Sequence, residues 1–438
     1  MVSRIGVGLL GLGTVGGGVA SILLSPEERH PLVKQLELVR VAVRDPKRPR
    51  PVELPAERLT TDPQAVISDP AVNVVVEVIG GIEPARSLIL QAIKAGKSVV
   101  TANKAVIARH GQEIAQAAAE AGVYVLIEAA VGGGIPIIEP LKQSLGGNRI
   151  DRVSGIINGT TNYILTRMAG EGVTYEDALA EAQRLGYAEA DPAADVDGLD
   201  AADKIAILSA LAFGGAVDRN AVPTDGISRL QETDVNYATQ LGYGVKLLAV
   251  AERMQQVDPS EPLPLSLRVQ PTLVPTDHPL AGVHGVNNAI LVEGDPIGRV
   301  MFYGPGAGEG PTASAVVADI LNIAGIRQTD ADGKGCLDPL LAAGSWRACV
   351  LVDSDRIRQR HYVRFNTSDT PGVIGRIGSC FGDRNVSIQS IVQFNATEAG
   401  AEIVVITHEV SQGRMNEALQ AIRKMPEVSG LAAHLGCL

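Results

Sequence analysis

Short apolar runs alternate with amphipathic stretches through the first third of the chain. Ile5–Leu10, Leu38–Val43, Val72–Val78, Ser98–Thr101 and Val123–Glu128 are rich in Val and Ile and apolar on both faces, while Pro84–Ala95 and Gly111–Ala121 between them carry helical spacing. Strands apolar on both faces, alternating with helices, predict a parallel sheet covered on both sides. From Arg149 to about Tyr303 the rhythm changes. Ala-rich Thr174–Leu185, Leu199–Phe213 and Asp234–Arg253 are predicted helices, and Leu265–Pro275, Ala289–Glu293 and Arg299–Phe302 are predicted extended segments, which makes an α+β unit. Gly310–Ile326 reads as one more helix. A β-α-β-β-α-β rhythm opens at about Ala348. The expected division is 1–130, 131–347 and 348–438, with 310–345 packing back on the first unit.

A chain of 438 residues is too long for one ordinary core, which agrees with several units. With 45% apolar and 20% charged residues it belongs with globular rather than disordered chains. A formal net charge of −11 argues against a nucleic-acid partner, which needs a basic surface, and the densest basic stretch is only Arg44–Arg50. Gly or charged residues break the apolar runs short of a membrane span. Cys336, Cys349, Cys380 and Cys437 lie far apart, without zinc or redox spacing, and are expected as reduced thiols. Met1–Val7 opens on a strand without a signal-peptide layout, so a cytoplasmic location is expected.

Gly11-x-Gly13-x-x-Gly16, with Thr14 and Val15 inside it, follows a strand and opens a helix. Gly11 permits the tight turn, Gly13 lets backbone amides approach a pyrophosphate, and Gly16 allows close helix–strand packing; the helix N-terminus then faces the diphosphate. A Gly-rich packing turn is the plain alternative. Arg44 closes the second strand where NAD enzymes usually carry Asp or Glu, and Lys47, Arg48 and Arg50 follow. A cationic pocket there suits a 2′-phosphate and favours NADP(H), while Asp45 leaves NAD(H) open.

Three further segments carry chemistry. Lys104 follows the strand Ser98–Thr101, at the sheet edge where ligands sit; a solvated loop lysine is the alternative. Between Glu189 and Lys204 lie Asp191, Asp195, Asp197, Asp200 and Asp203. Asp200 and Lys204 share a helix face, as an ion pair or as part of a site. Reduction of a carbonyl by hydride needs an acid beside the oxygen; Lys204 can donate, and nearby carboxylates are expected to favour its charged form. Glu189 could hold an α-ammonium, so the segment predicts an acidic pocket with one lysine. Glu128 precedes Val131-Gly132-Gly133-Gly134-Ile135, whose carbonyls could converge with it on a hard monovalent cation; a structural turn is the alternative.

These segments, with Ile156-Ile157-Asn158-Gly159-Thr160-Thr161 and Phe302-Tyr303-Gly304-Pro305-Gly306, resemble the homoserine dehydrogenase family over essentially residues 1–345. The resemblance implies a Rossmann dinucleotide-binding domain, an α+β substrate and dimerisation domain, and NAD(P)H-dependent reduction of L-aspartate 4-semialdehyde to L-homoserine, on the route to threonine, methionine and isoleucine. It implies Lys204 as proton donor, Asp200 and Glu189 as substrate ligands with Asp195 in support, and Lys104 near cofactor and substrate. It places Gly186 and Gly304 against the nucleotide, and sodium on Glu128 and the carbonyls of Val131, Gly133 and Ile135. The last unit resembles a ferredoxin-like ACT domain in the strand His361–Asn366, the turn Ser368–Gly372, the helix Val373–Phe381 and Asn385–Ile388. That implies feedback inhibition by L-threonine, usually between two such domains, and a homodimer or homotetramer. A non-catalytic NADP-binding amino-acid sensor is the alternative, which an intact Lys204, Asp200, Glu189 and Lys104 disfavour. An acyl-phosphate-forming dehydrogenase would need a nucleophilic cysteine, and none precedes Cys336.

Overall fold

Six strands, β1 (Ile5–Leu10), β2 (Leu36–Ala42), β3 (Leu59–Thr60), β4 (Val74–Glu77), β5 (Ser98–Thr101) and β6 (Val125–Leu126), form a wholly parallel sheet in the computed structural model. Their order is β3-β2-β1-β4-β5-β6. This is the Rossmann order, with its switch point between β1 and β4, where a ligand crevice opens beyond the strand ends. The structure describes residues 4–50, 52–329, 337–338, 340–341, 345–397 and 400–438. One face of the sheet (Val7, Leu9, Val74, Val76) packs against Ala313, Val316 and Ile320. The covering helix is Glu309–Thr329, which returns from far along the chain to lie against the helix Thr14–Leu24. The other face buries Leu10, Val75 and Val99 with Leu88, Ile89 and Val106 of the helices Ala85–Lys94 and Lys104–Ala121.

The remaining strands make a second sheet: β7 (Arg149–Ile156), β8 (Tyr243–Arg253), β9 (Leu263–Pro275), β10 (Asn287–Asp295), β11 (Gly298–Pro305), β12 (Cys349–Leu351), β13 (Arg358–Thr367), β14 (Ile388–Thr397), β15 (Gly400–Thr407), β16 (Val410–Ser411) and β17 (Val428–Cys437). Its main path runs β11-β10-β7-β8-β9-β17-β13-β15-β14. The C-terminal unit is thus joined edge to edge with the central one. β17 pairs with β9 at Gly436–Thr272 and Cys437–Leu273, and β12 pairs with the other end of β9 at Cys349–Leu263. This closes an edge of β9 that would otherwise present unpaired N–H and C=O groups.

One expected helix is wrong. Asp234–Arg253 is a helix, Glu232–Gln240, followed by β8. Leu241 caps the helix and Gly242, at φ 84°, turns the chain into the strand. Cys349, Cys380 and Cys437 are free thiols; Cys336 lies outside the described residues. Among the described residues no helix is long and apolar enough to cross a membrane.

Candidate functional site

The glycine turn has the expected shape. Gly11 sits at φ 108°, and a Cβ on Gly16 would lie 2.3 Å from the Gly11 carbonyl oxygen, so the close approach of helix to strand demands glycine. Gly13 and Thr14 are exposed and Val15 half-buried at the start of the helix, whose first amides have no side-chain cap. Those amides are open to an anion. Arg44 lies two residues beyond the end of β2 and is exposed. Arg50 is committed inward, donating to the carbonyls of Pro46 (3.1 Å), Arg48 (2.9 Å) and Asp45. Asp45 in turn accepts from the Lys47 amide at 2.9 Å. Arg44, Lys47 and Arg48 remain as exposed cations at the edge of the crevice.

Lys104 is placed by a chain of caps. Buried Glu77 at the end of β4 accepts from the Thr101 hydroxyl (2.7 Å), whose oxygen accepts from the Asn103 amide (3.0 Å). Asn103 then caps the helix that Lys104 begins, accepting from Val106 N. The ammonium of Lys104 crosses to the central unit and pairs with Asp200.

Asp200 and Lys204 sit on the helix Leu199–Phe213, buried on almost every side against the second sheet. Lys204 Nζ lies 2.8 Å from Asp200 Oδ2 and donates to the Ile157 carbonyl at 2.7 Å. Asn158 Nδ2 donates to Asp200 (2.9 Å) and to Asp195 (2.7 Å), and the Thr160 hydroxyl lies 3.2 Å from Asp195 and 2.6 Å from the Tyr187 carbonyl. Residues from three segments and both domains therefore meet at Asp200. Burial works to raise its pKa, but the ammonium groups of Lys204 and Lys104 prevail and hold it well below the usual carboxylate range. Burial likewise leads at Lys204, with the Lys104 charge assisting, and pulls the ammonium below the ordinary lysine range against the attraction of Asp200. The carboxylates do favour its charged form, as expected, but burial outweighs them. At Lys104, 41% exposed, burial is outweighed by Asp200 and the pKa rises.

The acidic segment does not converge as a whole, and the pocket holds two lysines rather than one. Asp203 is held by Arg219 (2.5 Å) and Arg109 (3.0 Å), Asp191 accepts from the Ala193 amide, and Asp197 accepts from Ser228 on the surface. Glu189 is exposed, and its carboxylate makes no hydrogen bond among the described residues. It lies two residues beyond the Tyr187 carbonyl that Thr160 ties to Asp195, and Gly186, at φ 77°, turns the chain into this stretch. Asn158 and Thr160 had no role in the sequence reading, because hydrogen bonds across the fold, not spacing, bring them to Asp195 and Asp200. Asn288 was also missed: it is buried between Gly159 and Gly306, with neither amide atom partnered among the described residues.

Glu128 is buried, and its carboxylate accepts from the amides of Ile137 (2.6 Å), Ile138 (2.9 Å) and Glu139 (2.8 Å). Burial prevails over these bonds and raises its pKa. Among the described residues no hydrogen bond ends on the carbonyls of Val131, Gly133 or Ile135. This loop packs on β11, with Gly134 N donating to Pro305 O at 3.1 Å and Gly304 near Ile135. A buried carboxylate and carbonyls free of hydrogen bonds among the described residues are oxygen donors of the kind a hard cation takes. Side-chain oxygens of Glu128, Glu139 and Asp319 also lie within 4.8 Å of one another.

A Rossmann sheet whose first helix has open N-terminal amides, joined at a domain junction by the Lys104–Asp200–Lys204 cluster, is the architecture of a dinucleotide-dependent oxidoreductase. The comparisons give the particular family. Residues 11–128 match the model described as homoserine dehydrogenase, NAD binding domain, residues 136–321 match homoserine dehydrogenase, and residues 361–427 match the ACT domain. A homoserine dehydrogenase of Synechocystis is 56% identical over 422 residues, 96% of each chain. The crystal structure of a homoserine dehydrogenase from Thiobacillus denitrificans is 41% identical with a TM-score of 0.88, over 100% of this chain and 98% of that one. A hyperthermophilic archaeal homoserine dehydrogenase in complex with NADPH is 28% identical with a TM-score of 0.60, over 74% of this chain and 98% of that one. The chain belongs to the homoserine dehydrogenase family.

Proposed function

We propose that the chain interconverts L-aspartate 4-semialdehyde and L-homoserine, on the route to threonine, methionine and isoleucine, with Lys204 as the proton donor in reduction. The observation that carries this is the setting of Lys204: buried, fixed by Asp200 and the Ile157 carbonyl, and weakened as a base by burial. An ammonium has three N–H groups, and those two partners take two. The third serves the substrate oxygen. When bound, the nicotinamide supplies the hydride. Lys204 hands a proton to the oxygen as negative charge develops there, and its lowered pKa eases the release. Asp200 holds Lys204 and Lys104 at the junction; Asp195 and Glu189, joined through Thr160 and the Tyr187 turn, receive the α-ammonium of the substrate.

Gly11, Gly13, Thr14, Val15 and Gly16 bind the pyrophosphate, with Gly186 and Gly304 lining the nucleotide and Arg44 drawing a 2′-phosphate; NADPH is preferred and NADH accepted. The NADPH held by the archaeal relative supports this preference. Glu128 with the carbonyls of Val131, Gly133 and Ile135 would hold sodium and steady the loop against β11. The C-terminal unit senses L-threonine, and the chain works as a cytoplasmic homodimer or homotetramer. The decisive measurement is steady-state oxidation of L-homoserine with NADP+ and NAD+. Turnover with both and a lower KM for NADP+ is expected; no turnover with either would overturn the assignment.

A further inference from the structure

Glu128, Glu139 and Asp319 come from three separate parts of the chain. Glu128 follows β6 at the end of the parallel sheet, and Glu139 sits in the short helix Ile138–Lys142 that opens the central unit. Asp319 lies midway along the returning helix Glu309–Thr329, which packs against the turn Glu128–Ala130. One carboxylate oxygen from each of the three lies within 4.8 Å of the others. Among the described residues no other three His, Cys, Asp or Glu side chains gather in this way. Glu128 and Asp319 are buried, and Glu139 is half-buried.

The three carboxylates are unequally supplied with donors. Glu128 has the amides of Ile137, Ile138 and Glu139. Glu139 accepts from the side-chain amide of Gln143 at 2.8 Å. Asp319 Oδ2 accepts from the Glu128 amide at 2.9 Å, but its Oδ1, although fully buried, has no hydrogen-bond partner among the described residues. Lys142, the neighbouring ammonium, stands 3.4 Å from Glu139 and donates to the Leu341 carbonyl at 2.9 Å. Burial, with the Glu128 charge adding to it, raises the pKa of Asp319 well above the ordinary carboxylate value, against the pull of Lys142. Three carboxylates set against one lysine leave two negative charges in a buried place, which is costly without a partner. A buried oxygen with nothing to bond is the kind of group that an ion explains.

We propose that Glu128, Glu139 and Asp319 bind one hard divalent cation, Ca2+ in preference to Mg2+, which ties the parallel-sheet domain, the central unit and the returning helix together. Donors that are all oxygen select hard ions over zinc or copper. Two positive charges match the two that Lys142 leaves over. The span of the cluster fits the larger ion. Ligands on opposite sides of an ion at about 2.4 Å stand about 4.8 Å apart, whereas Mg2+ at about 2.1 Å requires the side chains to draw in. Half-buried Glu139 gives the ion its way in, and water completes the shell. This donor set differs from the one proposed for sodium, in which Glu128 works with the carbonyls of Val131, Gly133 and Ile135. Here Glu139 and Asp319 supply further charges, and a monovalent ion would leave the cluster one charge short.

The site does not rest on the dehydrogenase reading, and its test reads no turnover. Mn2+ is titrated into the full chain, freed of any affinity tag and stripped with a chelator, in a choline buffer without Na+ or K+. Free Mn2+ is read from its EPR signal. One bound Mn2+ per chain is expected, displaced by Ca2+ at a lower concentration than by Mg2+, and saturating Ca2+ should raise the unfolding midpoint. Asp319→Asn keeps an acceptor for the Glu128 amide and loses only the charge. It should weaken Mn2+ at least about tenfold, as should Glu139→Gln, since loss of a direct ligand costs no less than loss of an outer-shell partner. Glu139→Gln, at a half-buried position, keeps the test open where Asp319→Asn fails to fold. No bound Mn2+, or binding unchanged in both variants, overturns the site. A midpoint raised by Na+ but not by Ca2+, and no longer raised in Asp319→Asn, also overturns it and gives the three carboxylates to the monovalent ion. Displacement by Mg2+ at the lower concentration overturns the preference for Ca2+.

Discussion

Two buried charge networks in this protein each set cations against a buried aspartate and come to opposite ends. At the seam between the helix Glu232–Gln240 and β13, Arg364 meets Asp234 as a bidentate pair, Nε to Oδ1 at 2.8 Å and Nη2 to Oδ2 at 3.1 Å. Glu402 and Gln231 take further N–H groups, and the Tyr362 hydroxyl donates to Asp234 at 3.1 Å. Burial alone would depress the Arg364 pKa, but Asp234 and Glu402 overcome it and lift it above the ordinary arginine value. At the domain junction one carboxylate, Asp200, serves two lysines, and Lys204 ends below its ordinary value. Full compensation locks a seam, whereas partial compensation leaves a proton that can move.

Substitution should separate the two. Lys204→Ala is expected to lower kcat by roughly 10²–10⁴-fold, the usual contribution of a positioned acid, with NADPH still binding by fluorescence titration. A rate constant near that of the unmodified chain would dissolve the distinction. Arg364→Ala should do the reverse. Breaking a buried pair from one side costs about 3–5 kcal/mol, read as a lower denaturant midpoint, while molecules that remain folded turn over normally.

A third measurement sharpens the contrast through protons. In reduction the proposed donor, Lys204, must start as the ammonium, so the rate constant should fall as pH rises through its pKa. In oxidation the neutral amine accepts the proton, and the rate constant should rise through the same pKa. Because burial lowers that pKa, both inflections belong below the range of an ordinary lysine. Profiles that stay flat up to that range, with chemistry limiting, would mean another group moves the proton.

The two networks also differed in how far the sequence announced them. Asp200 and Lys204 stand four apart on one helix, and Gly11–Gly16 follows a strand, so short-range spacing put both forward. The seam joins Asp234 to Arg364 across 130 positions, and no local pattern reports such a pair. The Rossmann sheet was legible because its strands are apolar on both faces. β8 was not, because the Val, Leu and Ala of Val245–Ala251 also satisfy helical spacing, and only Gly242 marks the break. The edge pairing of β17 with β9 was hidden for the same reason as the seam: the sequence rhythm marks a unit at about Ala348 but not the strand it joins. Asn158 and Thr160 stood in a recognisable segment, yet their roles exist only once Asp195 and Asp200 are beside them.

The smallest expected effect concerns Glu189, the one proposed substrate ligand that stands outside both networks. Its carboxylate is exposed and unbonded among the described residues, so nothing in the fold depends on it, and Glu189→Leu should leave the unfolding midpoint nearly unchanged. If it meets the α-ammonium of the substrate, one charge-assisted hydrogen bond is lost, about tenfold or somewhat less at an exposed position. The loss should fall on KM for L-homoserine, with kcat held by Lys204, because a contact made equally in ground and transition states is uniform binding. Equal loss in kcat and kcat/KM would move Glu189 into the transition-state machinery beside Asp200. An unchanged KM would leave the ammonium to Asp195 alone, whose partners Asn158 and Thr160 already fix it at the edge of the cluster.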